Sequence, residues 1–321
     1  MSTKKILIVD GNNACWRLIK RLPLLSVDGK PVQVIYGFVR LLHGVLSQFE
    51  PDVALVCWDT GHSTFRLKTY SEYKANRDHG WGSPNDREYD SCISQMTALQ
   101  DDILPMLNVA KIKHEGTEAD DLIGLSCTVL DGHKTVISSD KDMLQLVSSD
   151  TQVWAPPIPS RPGMLYTRGN FTKLTGLTPR QYLEMRALTG DGSDNISGVA
   201  KGFGEITATE LLQKYGSVEN LFTKEVEKTL VKRGNRYALL YSEGAREKAY
   251  RNLLMMDLKI CGQHVNDRDK VVRELRSQIH NRTRINKGLV KRVFLEKKFK
   301  SLLETFGTWL IPFERLDSEE A

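Results

Sequence analysis

Three short apolar, β-branched runs in this chain each stop on an aspartate: KILIVD ends at Asp10, VALVCWD at Asp59 and TVISSD at Asp140. Runs of this length and composition read as strands buried on both faces, and helical patterns separate them, so the three belong side by side in one parallel sheet. In an open parallel sheet ligands bind in the crevice beyond the carboxyl ends of the strands, which brings these carboxylates to one pocket. The alternation is strand 5–10, helix 31–48, strand 53–58, helix 91–106, strand 109–113, helix 118–130, strand 135–138, helix 142–147 and strand 151–155. The fold class expected is α/β, a mostly parallel central sheet flanked by helices.

More acids fall where the same pocket would open. GTEADDLIGL puts Glu118, Asp120 and Asp121 into one helical first turn, SSDKD adds Asp142, and the loop TGDGSDNISG adds Asp191 and Asp194. One aspartate capping a helix is ordinary. Acids from all these stretches sharing a crevice would repel one another, and hard divalent cations with oxygen ligands, magnesium or manganese, are the usual remedy. Glu118 and Asp121 lie one turn apart and face the same way while Asp120 is offset, so the group can serve two neighbouring ions. An EF-hand is the competing reading, but neither loop carries the DxDxDG run and distal glutamate.

The formal charge is +5, from 45 basic against 40 acidic residues; without the nine candidate ligands it is 45 against 31, or +14. A basic body around an acidic pocket suits a polyanionic substrate. The five cysteines include no CxxC pair, so no disulfide framework or structural zinc is expected. With no long apolar span and a first strand that begins at once, neither membrane nor secretion is indicated, and a cytoplasmic location is expected.

Between Asp59 and a helix near residue 92 runs a segment almost free of aliphatic residues. It interleaves Arg66, Lys68, Lys74 and Arg77 with Phe65, Tyr70 and Tyr73, the cations and rings that a single-stranded nucleic-acid channel uses. Four of the eleven prolines fall in 156–163 and mark an exit from the sheet. Helices follow, from Thr178 and Pro179 to Gly190, over 205–215 and over 237–255. The turn GVAKGFG, with Lys201, Gly202 and Gly204, could let the backbone approach phosphates, or simply join two packed helices. Residues 268–300 hold twelve lysines and arginines and match no motif.

In this order, IVDGNN, FRLKTYSEYKANR, GTEADD, SSDKD, TGDGSDNISGV and GFGEITA resemble the 5′ nuclease family, the flap endonucleases and 5′ to 3′ exonucleases, over residues 5 to 255. The look is most like the free-standing bacteriophage enzymes. The resemblance implies a PIN-like nuclease domain over 1–175 with a helical arch inserted at 60–91. It implies a helical DNA-binding region over 176–321, with a helix-three-turn-helix near 180–215. It also implies two Mg2+ ions, for which Mn2+ can substitute. Asp10, Asp59, Glu118 and Asp120 resemble ligands of the first, and Asp121, Asp140, Asp142, Asp191 and Asp194 those of the second or its outer shell. Lys74 and Arg77 match the arch residues that meet the scissile phosphate, Tyr73 a base-stacking residue and Arg17 a phosphate contact; a K+ ion belongs to the glycine turn near 198–206. The family turn usually reads GVxGIGxKTA, whereas here Ala200 and Lys201 lengthen it by one residue and Ile206 stands where lysine is common.

The expected function is hydrolysis of DNA phosphodiester bonds at 5′ flaps and 5′ ends, with RNA primer removal of the RNase H type, in replication or repair. The expected partners are DNA with a 5′ flap or end and RNA/DNA primer duplex. A replication polymerase or single-stranded-DNA-binding protein would act in trans on a monomeric enzyme. A PIN-like ribonuclease and a DNA-binding protein without cleavage are the alternatives.

Overall fold

The computed structural model describes residues 3–76, 87–158, 160–280 and 284–316. Six strands make the main sheet: β1 (Lys5–Asp10), β4 (Val53–Trp58), β5 (Ala110–Lys113), β6 (His133–Ile137), β7 (Thr151–Ala155) and β8 (Met164–Tyr166). Two-stranded ribbons are formed by β2 (Ser26–Val27) with β3 (Lys30–Pro31) and by β9 (Gly190–Asp191) with β10 (Ile196–Ser197). The sheet order is β5-β4-β1-β6-β7-β8, parallel throughout except for β8, which runs antiparallel along β7. Register sets Asp10 beside Cys57 and Val9 beside Ile137, so β1, β4 and β6 end at one level.

Because strand side chains alternate, each of these strands serves two cores. Ile6, Ile8, Leu55 and Cys57 face one, and Leu7, Val9, Val56 and Trp58 the other. The second core is roofed by α1 (Gly11–Arg21), α2 (Gln33–Phe49) and α4 (Arg87–Ala98). Between α2 and α4 comes α3 (Thr64–Thr69), a short helix at the root of the expected arch, whose residues 77–86 lie outside the described residues. The first core is covered by α5 (Ala119–Val129), α6 (Pro179–Thr189), α7 (Glu205–Tyr215), α8 (Ala245–Met256), α9 (Leu258–Gln263) and α10 (Arg268–His280). Beyond them α11 (Lys287–Glu296) and α12 (Phe306–Glu314) return to the second core, where Trp309 stacks on His43 of α2 with ring centroids 5.2 Å apart.

Several elements differ from the sequence expectation. Helix α1 was not anticipated, because Asn12 and Asn13 are poor helix formers. The Asp10 side chain starts it by accepting the Asn13 N–H at 3.0 Å. The segment expected as a helix over 142–147 is a 3₁₀ helix, Lys141–Leu146, capped by Asp140 in the same way. The helix expected over 237–255 is broken before α8 by Gly244, which has a φ of 75°. Strand β8, three residues long after a proline-rich turn, gave no periodic signal.

Helices α5 and α9 cross with almost no gap. A Cβ on Gly124 would overlap the Leu258 carbonyl, and one on Gly262 would lie 2.6 Å from the Leu125 nitrogen. Gly124→Ala must push α9 away, and we expect a loss of about 1–3 kcal/mol. The denaturation midpoint measures it; an unchanged midpoint would mean that the helices separate freely.

Candidate active site

The strand ends and helix starts deliver the acids to one cavity of about 180 Å³. Its lining includes Asp10, Asp59, Glu118, Asp120, Asp140, Asp142, Asp191 and Asp194, eight of the nine candidate ligands, together with Asn12, Asn13 and Lys74. Asp10 is buried at the end of β1, where Ser138 Oγ donates to it at 2.8 Å. Asp59 follows β4 and accepts the Ala119 N–H at 2.6 Å, which ties the β4 end to the start of α5. The ninth acid, Asp121, sits outside the lining and is fully buried.

Three cationic side chains lie among the acids. Arg66 pairs through Nη1 with Glu118 at 2.9 Å and Asp121 at 2.7 Å, and its Nε donates to the Met255 carbonyl at 2.8 Å. Lys74 reaches Glu118 at 2.8 Å and stands 3.9 Å from Asp194. Its backbone is in the left-handed region, φ 58°, and its N–H donates to the Asp194 carbonyl. Such a conformation is costly for lysine and persists only where surrounding contacts over-determine it. Arg186 bridges Asp142 and Asp191, 2.7 Å from each.

Nine carboxylates against these three cations leave a formal −6, which two divalent ions would bring to −2. The carboxylates without an ion pair among the described residues show the strain. Burial, with repulsion from Asp59 and Asp140, pushes Asp10 up to about 7. Burial and neighbouring Asp142 raise Asp140 to about 6. Asp120 is also raised, by burial and then by Asp140 and Asp10. Glu118 goes the other way: burial alone would raise it, but His62, Lys74 and Arg66 hold it well below the usual range. The donor set is all oxygen, so it fits hard divalent cations. Among the described residues no group of three or more such side chains is gathered closely enough to hold an ion.

A pH prediction follows for the metal-free protein. A carboxyl raised in the folded state keeps its proton when the unfolded chain has lost it, so it costs stability as pH rises through its folded value. Asp10 and Asp140 therefore favour lower pH, while Glu118, held low, contributes nothing to the change over this range. Below it His43, whose pKa is lowered by burial and then by Arg40, opposes the trend. In EDTA the melting temperature should rise as pH falls from about 8 to about 6.5, and Mg2+ should flatten the slope. A melting temperature that falls over that range in EDTA would contradict the uncompensated cluster.

Two residues expected at the nucleic-acid surface lie inward. Arg66 was expected to face a nucleic-acid strand, but it is 4% exposed and locked to two buried acids. Tyr73 was expected to stack on a base; it is 3% exposed, and its hydroxyl donates to Glu118 at 2.8 Å and reaches Asp194 at 3.1 Å. Lys68 is exposed on α3. Arg17, half-buried, donates to the Pro157 carbonyl at 3.2 Å. Lys201, Gly202 and Gly204 are exposed in the turn before α7, with Ile206 78% exposed beside them. Arg77 lies outside the described residues. Arg186 escaped the sequence reading, although a charged residue between the apolar Met185 and Ala187, five positions before Asp191, was a usable signal.

Comparison with known proteins gives two family matches. Residues 5–176 match the model of a 5′-3′ exonuclease N-terminal resolvase-like domain, and residues 177–271 that of a 5′-3′ exonuclease C-terminal SAM fold. DNA polymerase I of Bacillus subtilis is 37% identical over 226 residues, 68% of this chain and 24% of that protein. DNA polymerase I of Bacillus caldotenax is 33% identical over 281 residues, 84% of this chain and 31% of the relative. The chain thus spans about a quarter to a third of the length of these curated relatives. Among solved structures, the D15 protein of bacteriophage T5 co-crystallised with metal ions superposes with a TM-score of 0.68 at 21% identity, covering 86% of this chain and 99% of that one. The catalytic core of Rad2 in complex with DNA substrate gives 0.51 at 17% identity, over 97% and 93%. At these identities the likeness is one of fold.

Proposed function

The chain belongs to the 5′-3′ exonuclease family, and from that premise we propose that it is a structure-specific 5′ nuclease that hydrolyses DNA at 5′ flaps and 5′ ends, RNA primers included. The observation that carries this reading is the cavity in which eight acids from five separate stretches meet Lys74. Two Mg2+ ions, or Mn2+ in their place, would supply the Lewis acidity that lowers the pKa of an attacking water and offsets charge on the leaving oxygen. Asp10, Asp59, Glu118 and Asp120 would hold the first, and Asp140, Asp142, Asp191 and Asp194 the second, with Asp121 behind.

The protein's own groups do the rest. Arg66, Tyr73 and Ser63 N–H orient Glu118. Arg186 fixes the spacing of Asp142 and Asp191. Lys74, released from Glu118 once other positive charge enters, can turn its ammonium to the phosphate and stabilise charge that develops there. The exposed turn of Lys201, Gly202 and Gly204 at the start of α7 offers backbone N–H groups to duplex phosphates, with a K+ ion as part of the same reading. Selection would rest on shape, with the substrate gripped through its backbone. A polymerase or single-stranded-DNA-binding protein acting in trans, a monomeric state and a cytoplasmic location complete the proposal.

The test is a 5′-labelled flap duplex incubated with the purified chain and Mg2+, beside an EDTA control. Metal-dependent cuts near the junction are expected. Tight binding without cleavage would turn the reading to a silent DNA-binding protein, and cleavage confined to single-stranded RNA to a PIN-like ribonuclease.

A further inference from the structure

The chain's whole formal surplus of +5 lies in its last 54 residues: basic residues outnumber acidic ones by 13 to 8 from Arg268 onward and balance at 32 to 32 before it. Helix α10 opens this region. It buries Val271, Leu275 and Ile279, which turns Lys270, Arg273 and Arg276 to solvent. None of these three forms an ion pair among the described residues.

The start of α10 is fastened to the root of the arch. Just ahead of it, the His264 ring stacks on Phe65 of α3, centroids 4.2 Å apart at 27°, and Asn266 Nδ2 donates to Thr64 Oγ1 at 3.3 Å. Residue 63, immediately before α3, donates its N–H to Glu118 at the edge of the acid cavity. Phe65 and Lys68 are three apart on α3 and share a side, and Lys68 is exposed. The ring pair thus sits at the arch root, and the cation row of α10 begins just past it and spans about 9 Å of helix.

Rings followed by cations are what a single strand needs: stacking surface for its bases and counter-charge for its phosphates. We infer that the Phe65–His264 ring pair and the outward face of α10 form a track for the 5′ single strand of the substrate. The inference rests on the 5′ nuclease reading, from which the substrate tail comes. The track makes binding depend on tail length, which the acid cavity alone does not.

The test uses the full chain in EDTA, where no cleavage intervenes, and fluorescence anisotropy with flap duplexes whose 5′ tails are about 2 or about 15 nucleotides long. The wild type should bind the long tail about tenfold more tightly than the short one. The triple variant Lys270→Ser, Arg273→Ser, Arg276→Ser, with an unchanged melting temperature, should lose most of that difference. Its salt slope on the long tail should become shallower by about 2, from three lost phosphate contacts. Phe65→Leu should shrink the tail advantage without altering the salt slope. A triple variant that keeps the long-tail advantage, or that weakens both duplexes equally, overturns the track. A wild type that binds neither tailed nor blunt duplex defeats the nuclease reading itself, and the track falls with it.

Discussion

Asp140→Ala is expected to lower the flap cleavage rate constant by about 10²–10³-fold or more while leaving flap duplex affinity in EDTA within about twofold. Asp140 lines the cavity just past β6, its Oδ1 caps the following 3₁₀ helix, and no cation pairs with it among the described residues. It also carries a cost, because burial and Asp142 keep its proton affinity high. Removing it relieves repulsion within the cluster but deletes a cap worth about 1 kcal/mol. The metal-free variant should therefore melt at or above the wild-type temperature above neutral pH, while its response to Mg2+ shrinks. Single-turnover kinetics and a melting curve with and without Mg2+ read both quantities. Unchanged cleavage would remove Asp140 from the second metal site, and a large fall in melting temperature in EDTA would make it a structural residue. Activity lost with stability kept is the pattern of a group held under strain for function.

Arg66→Met should act in the opposite way, chiefly on the fold. The guanidinium is buried between Glu118 and Asp121 and also satisfies the Met255 carbonyl, so it joins the start of α5 to the end of α8. Methionine fills similar volume but leaves two buried carboxylates with one cation fewer, a loss of about 3–5 kcal/mol. Adding Asp121→Asn should recover part of that, because the two residues are in contact and their effects do not add. A strand-facing arginine would behave differently, losing affinity and salt dependence with no change in stability. A denaturation midpoint that moves by less than about 1 kcal/mol would therefore return Arg66 to the substrate surface.

Phe65, Lys68, Tyr73 and Lys74 show how far a local pattern carries. The residue pattern alone reads the four as rings and cations of one channel, and the structure divides them. Lys68 stays in solvent and Phe65 pairs with His264, while Tyr73 and Lys74 turn inward to Glu118 and Asp194. Nothing in this run of ten residues distinguishes the inward pair. Their partners stand 44 to 121 positions away, and the left-handed backbone of Lys74 donates its N–H to the Asp194 carbonyl.

The acids themselves were legible because the information is local. A buried strand announces itself by a short β-branched run, its last residue is where the sheet opens, and an acidic first turn places carboxylates at a helix start. Those rules bring Asp10, the last residue of β1, and Asp59 and Asp140, just past β4 and β6, to one cavity with Glu118 and Asp120, and with them came the parallel sheet and the oxygen-rich pocket. The counter-charges are a different kind of fact. Whether Arg66 or Arg186 points to water or into the cluster depends on the field of carboxylates brought together from distant stretches and on the desolvation each cation must overcome to reach them. The acids and the sheet that gathers them are written locally along the chain. Which cations neutralise them is settled by the fold, because an ion pair is chosen by proximity in space and no periodicity along the chain encodes it.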